Sequence, residues 1–238
     1  MTNQRYKTLL IAALIIAFLI ALFSIEKINE VIVEARCLQK RMLFKECENT
    51  KPAKQYKNKF KSLEWIKRNT SAVSYPKIRR QFLHYAKKAI EQYWSIFANQ
   101  YPSAANKLSK KQVLAFIDAL ARLEQGRSCM FAYNLFGVQG EDYWEVPEDS
   151  QPDYAFNIVD SGGYCRVFLG WKSMERAARF VAYVVMRKIF RYVNKYGEFN
   201  AGVVYTCSWW RSKCSGNSEE FAKIDTFNSI FRDSLRFV

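Results

Sequence analysis

Residues 113–140 read VLAFIDALARLEQGRSCMFAYNLFGVQG. Val113, Ile117, Leu120 and Glu124 follow one another at steps of four, three and four, so a helix places them on one face. An apolar stripe therefore ends in a carboxylate. Ser109 is placed to cap this helix, which runs through Val113, Phe116, Ile117, Leu120 and Leu123 and stops at Gly126. Glu124 falls in the last turn, where the negative end of the helix dipole and partial burial both disfavour an anion. A carboxyl that holds its proton near neutral pH suits general acid chemistry. On spacing alone, a surface glutamate at a fraying helix end is the simpler reading.

On either side the pattern changes. Residues 78–97 form an aromatic-rich helical stretch ended by Asn99, Gln100, Tyr101 and Pro102. Residues 133–170 are punctuated by Gly137, Gly140, Pro147, Pro152, Gly162, Gly163 and Gly170. Within them Asp160-Ser161-Gly162-Gly163 reads as a turn between strands at 156–159 and 164–168. Ser173 caps a long helix that ends near Gly197. A last helix follows Ser218, with Glu219 and Glu220 in its first turn. Helices, a small sheet, then helices predict an α+β, mainly helical domain over residues 76–238, without internal repeats.

The N-terminus bears on location. Residues 9–25 (LLIAALIIAFLIALFSI) carry no charge and follow Arg5 and Lys7. The length suits a short membrane span, and the basic flank predicts that the rest of the chain is exported. No small-x-small cleavage pattern follows, so an uncleaved single-pass anchor over 1–27 is preferred to a cleaved signal peptide. Residues 28–75 read as a basic amphipathic stalk, with Ile28, Val31, Ile32 and Ala35 at helical spacing. Residues 51–88 hold twelve Lys or Arg and one acid, Glu64, within a chain of net charge +15. That run reads either as adhesion to anionic lipid or wall polymer, or as a solvated linker. Nucleic acid is a poor partner for an exported segment.

Six cysteines, at 37, 47, 129, 165, 207 and 214, all lie beyond the apolar run, and none forms a C-x-x-C pair. In an exported chain they predict disulfides, with near neighbours paired: Cys37–Cys47, Cys129–Cys165 and Cys207–Cys214. Cys37 could instead link two chains. The single histidine, His84, sits in a basic helix and reads as structural. Its isolation excludes Ser-His-Asp and Cys-His hydrolases and leaves no zinc-ligand spacing, so neither metal nor cofactor is expected. Any catalysis falls to carboxylates.

Leu123-Glu124-Gln125-Gly126, followed by Tyr133-Asn134-Leu135-Phe136-Gly137-Val138, resembles the peptidoglycan glucosaminidases of glycoside hydrolase family 73, the autolysin and flagellar rod-cap type. Those enzymes carry a helix ending in L-E-S-G-x-G and then Y-N-L-F-G-[IV]-K. Residues 168–173, FLGWKS, are similar to the F-R-x-Y-x-S piece that follows the family's hairpin. The resemblance covers roughly residues 78–193. It implies a lysozyme-like two-lobed fold with a small β-hairpin lobe and a groove for glycan strands. It also implies Glu124 as catalytic acid and Tyr133, Asn134 and Phe136 in the groove-lining loop, with Trp171, in the piece after the hairpin, as a further substrate-binding candidate. Plain core packing is the alternative for Leu135 and Phe136.

Three departures stand out. The family's second carboxylate, on the first hairpin strand, is matched by Ile158; Asp160 lies two residues on, and Asp153 lies earlier. Trp171 replaces a tyrosine, and E-S-G reads E-Q-G. Trp144, Trp171, Trp209 and Trp210 are candidates for stacking on sugars, although tryptophan more often packs in a core. The leading expectation is an N-acetylglucosaminidase-type peptidoglycan hydrolase, with Glu124 as acid and Asp160 as second group. It would be anchored in a bacterial inner membrane and face the periplasmic or extracellular side. The alternatives are a lytic transglycosylase, which needs a single Glu, and a non-catalytic wall-binding scaffold of an envelope machine.

Overall fold

The computed structural model describes residues 28, 32, 45–47, 54–70, 72–125, 130–134, 136–140, 145–159, 163–210 and 216–238. Among these no helix is long and apolar enough to cross a membrane; the apolar run at 9–25 lies outside them.

A 3-10 turn at Lys54–Lys59 leads into helix α1, Leu63–Asn69, and strand β1, Ala72–Val73. Helix α2, Tyr75–Gln100, is followed by the single turn α3, Pro102–Ala105, and by α4, Lys110–Gln125. Strand β2, Met130–Phe131, pairs antiparallel with β1. A hairpin of β3, Tyr154–Val159, and β4, Cys165–Gly170, leads into α5, Met174–Tyr196. The chain closes with α6, Ala201–Val204, a π-helical stretch at Tyr205–Trp210, and α7, Ser218–Phe237. The architecture is mainly helical with a small antiparallel hairpin, as the order of patterns predicted.

The termini are built from local chemistry. At α4 the backbone N–H and hydroxyl of Ser109 donate to Gln112 Oε1, and Gln112 N donates back to Ser109 Oγ, a reciprocal capping box. Ser173 accepts from Arg176 N at the start of α5, and Gly197, at φ +82°, ends that helix in the left-handed conformation. Asn217 caps α7, accepting from Glu220 N.

α4 is the central helix. Every residue from Val113 to Ala121 is buried between α2, α5 and α7. Directions follow from contacts. Lys110, at the start of α4, lies over the Trp94 ring, whereas Asp118 reaches Tyr75 and Arg79 at the start of α2. α2 and α4 are therefore antiparallel. α2 and α5 run parallel: Tyr93 packs on Tyr183, Phe97 on Phe190, and Ser103 bonds Asn194. The ends of α4 and the starts of α2 and α5 thus share one end of the helical body, which also carries both sheets.

Both faces of the hairpin are covered. Ala155, Val167 and Leu169 join the helical core, while Phe156, Ile158 and Phe168 meet Leu63 and Ile66 of α1 on the other side. Of the segment that composition reads as stalk, residues 45–47 and 54–70 therefore belong to the folded body. Lys61 N donates to Ala155 O, Val159 N donates to Lys45 O, and Glu46 accepts from Leu63 N. On the far edge, Leu169 N donates to Val138 O and Gly140 N to Val167 O.

The disulfides correct two of the expected pairs. Cys47 bonds Cys165 across 118 residues, with Cα atoms 5.8 Å apart, so neither Cys37–Cys47 nor Cys129–Cys165 forms. The reason is the segment around Lys45, which runs beside β3 and brings Cys47 to the start of β4. Cys207 is also disulfide-bonded, and Cys37, Cys129 and Cys214 lie outside the described residues. Closing so long a loop stabilises mainly by restricting the unfolded chain. The Cys47→Ser/Cys165→Ser double variant is expected to lose about 2–5 kcal/mol, read as a lowered urea midpoint. An unchanged midpoint would assign the bridge no structural role.

Candidate functional site

Glu124 sits where α4 emerges from the core. Leu123 still packs against it and Glu124 is half-buried. Beside it Arg122 reaches across to α7, donating to Ser234 Oγ at 3.3 Å and to Ile230 O at 3.5 Å. The carboxylate thus stands on a rigid helix at the end of the body that carries the hairpin.

The loop that follows is tightly held. Ala132 and Tyr133 both have left-handed backbones, at φ 51° and 57°, in consecutive non-glycine residues. Such conformations cost of order 1–2 kcal/mol each and persist only where surrounding contacts impose them. Here those contacts are visible. Trp171 N donates to Ala132 O at 2.8 Å, and a Cβ placed on Gly170 would lie 2.7 Å from Ala132 Cβ. Only glycine lets β4 and this turn approach so closely.

Asn134 completes the clamp. It is fully buried; its Nδ2 donates to Val138 O at 2.9 Å, and its Oδ1 accepts from Val138 N at 2.8 Å. Both ends of the amide are used within the loop. Asn134→Ala would leave the buried Val138 N–H without its acceptor and remove one of the two donors to Val138 O, which keeps Leu169 N. It is expected to cost about 1–3 kcal/mol and to loosen the turn that presents Tyr133. Thermal unfolding checks the cost, and a variant as stable as the parent would contradict it.

The other residues suggested by sequence separate. Tyr133 is half-buried against the core edge. Phe136 is buried on Phe82, with ring centroids 5.6 Å apart. Trp171 is 1% exposed, packs on Phe180 and donates its indole N–H to Ser150 O. Asn134, Phe136 and Trp171 therefore shape the loop from within and present no face to a ligand; Glu124 and Tyr133 reach the surface. Asp160, Leu135 and Trp144 lie outside the described residues. Trp209 is half-buried beneath Lys188, whose ammonium is 5.1 Å from the ring centroid.

The hairpin's carboxylates are equally informative. Ile158, at the position matched to the family's second acid, is buried beneath α1, where an ionised group would be costly. Asp153 accepts from Lys172 N at 2.9 Å and pairs with Arg176 at 3.3 Å. Lys59 donates to Pro152 O and Gln151 beside it. Burial holds the Lys59 ammonium below its usual range, with Arg176 adding to the effect and Asp153 opposing it. Nearby, Arg179 bridges Asp149 and Glu175. Tyr93 donates to Asp149, and its phenol is pushed up to about 12 by burial and that neighbouring charge. These contacts hold the 148–153 segment on α2 and α5.

One buried ionic cluster escaped the sequence reading. Asp118, 0% exposed on α4, accepts from Arg79 through both oxygens, at 2.7 and 2.6 Å, and from the Tyr75 hydroxyl at 2.8 Å. Burial pushes its carboxyl up, but hydrogen bonds from Arg79, Ser234 and Tyr75 outweigh that and hold it below the usual range. Burial and the same carboxylate raise the Tyr75 phenol well above its ordinary value. Its signal in the sequence is an acid within an otherwise apolar run, FIDAL. Among the described residues, no group of His, Cys, Asp or Glu is placed to hold a metal ion.

Comparisons with family models, with curated proteins and with solved structures each found no match.

Proposed function

We propose that the chain is a peptidoglycan hydrolase with a lysozyme-like fold, cleaving β-1,4 bonds of the glycan strand in the N-acetylglucosaminidase manner with Glu124 as general acid. One observation carries this reading. A half-buried carboxylate ends the central buried helix and is followed by a strained turn clamped through Asn134. A rigid mount of this kind suits a group that must hold its position while it delivers a proton. Tyr133, presented by that turn, is the described residue best placed to contact sugar. Asn134, Phe136 and Trp171 serve by holding the turn.

The same reading places the chain in a bacterial inner membrane through residues 1–27, with the folded body on the periplasmic or extracellular side. Residues 51–88 favour anionic lipid or wall polymer, although Lys59 and Arg79 of that run are spent inside the fold.

A second reading, lytic transglycosylase, gains from the hairpin. Ile158 is covered by α1 and Asp153 is engaged with Arg176 and Lys172, which suits chemistry built on one carboxylate. Incubation of purified sacculi with the full chain tests the shared claim. Soluble glycan fragments are expected. Sacculi left intact, from several wall types, would instead support a wall-binding scaffold.

A further inference from the structure

A concavity lies at the opposite end of the helical body from Glu124. It is a groove of about 840 Å³ between the last turns of α5 and the first turns of α7, closed below by Val203 and the π-helical stretch. Its two walls differ chemically. Along α5 stand Lys188, Arg191 and Lys195; from α7 come Phe221, 60% exposed, and Ile224. The lining's acid, Glu220, is 1% exposed and accepts from Gly216 N, so its charge is withdrawn from the opening.

We propose that this groove docks an acidic, amphipathic helical segment of a partner protein, with carboxylates on the α5 wall and aliphatic side chains on the α7 wall.

The spacing argues for a peptide. Lys188, Arg191 and Lys195 follow at i, i+3 and i+7, one stripe spread over about 10 Å of helix. A single phosphate or headgroup cannot span that row. Carboxylates repeated at the same helical interval can, and helix-in-groove recognition is built on such anchors. The second wall argues against a bare polyanion, because Phe221 and Ile224 gain nothing from a ligand without apolar groups. Beside the cations the lining carries Tyr192, Tyr196 and Ser208, so wall glycan is the competing occupant that the sacculi measurement separates. Position argues against the bilayer to which the N-terminal run would attach. The N-terminal segment joins the body at the hairpin, through Lys45 and Cys47, at the far end of α5. Arg191 and Lys195 retain capacity for a ligand: Lys195 rests on the Tyr196 ring, and Arg191 uses its Nε on Tyr101, whereas Lys188 already donates to Ser208 O and lies over the Trp209 ring.

The test is fluorescence anisotropy with the full chain in detergent. The probe is a labelled synthetic helical peptide with Glu at i, i+3 and i+7 on one face and Leu on the other; the control is a composition-matched scramble. Binding of the patterned peptide alone, weakened by salt, is expected. Arg191→Glu/Lys195→Glu and, separately, Phe221→Ser should each weaken it by about tenfold or more, which corresponds to loss of one good contact. All three positions lie on the groove surface, and far-UV circular dichroism verifies folding. Equal binding of the scramble, or parent-like binding by either variant, overturns the proposal. So does absence of peptide binding while sacculi binding falls in the double variant, which would give the groove to wall glycan.

Discussion

Replacing Glu124 with glutamine is expected to lower release of soluble glycan from sacculi by about 10²–10⁴-fold, the usual share of general acid catalysis. The substitution keeps the shape of a half-buried side chain at the end of α4 and removes only the transferable proton. Far-UV circular dichroism and sedimentation with sacculi should therefore match the parent. Undiminished release would remove Glu124 from the chemistry. Asp160→Asn, tested in parallel, separates two routes to the oxocarbenium-like centre. A strong loss identifies a carboxylate partner, whereas little loss favours the substrate's own acetamido oxygen or Asp153.

The second large effect concerns stability. Asp118→Ala removes the buried acceptor shared by Arg79, Tyr75 and Ser234. Breaking one side of a buried pair typically costs about 3–5 kcal/mol, and the lower end applies here because Arg79 keeps part of its guanidinium in water. Urea unfolding followed by tryptophan fluorescence reads this as a lowered midpoint. The pH dependence has a definite sign. The Asp118 carboxyl lies below its ordinary value in the folded state, so its contribution is complete above the unfolded value of about 4. That contribution is lost as pH falls through the lower, folded value. Asp118→Ala should therefore lose less stability on acidification than the parent does. An equal loss would place the acid sensitivity elsewhere. The Arg79 guanidinium also stacks 3.5 Å from the Phe237 ring, so loosening this cluster should release the end of α7 first.

The long helices α2, α4, α5 and α7 were readable in the sequence because their signals are local. Ser109, Ser173 and Gly197 act within one turn of their own position, and the apolar stripe of α4 repeats every three or four residues. The hairpin was readable for the same reason: its apolar runs flank a glycine-rich turn. What escaped was set by distant partners. Nothing near Cys47 announces Cys165; that pairing depends on the chain around Lys45 lying against β3. The basic run at 51–88 reads as an adhesive segment or a solvated linker, yet Leu63 and Ile66 within it cover a hairpin face that would otherwise stay wet. This cover also gives a physical reason for Ile158, since α1 lies on the strand face where the resembled family carries its second acid. Asn134 and Trp171 stood out as motif residues, but sequence cannot tell an amide aimed at sugar from one that closes its own loop.

Mass spectrometry of the muropeptides released from purified sacculi tests the central claim most directly. Digestion with the full chain should generate fragments with new reducing N-acetylglucosamine ends, and none should appear with Glu124→Gln. Anhydro-muramic ends would keep Glu124 as the acid but assign the chain to transglycosylase chemistry. Glycan strands left uncut by the parent chain would contradict the enzymatic account.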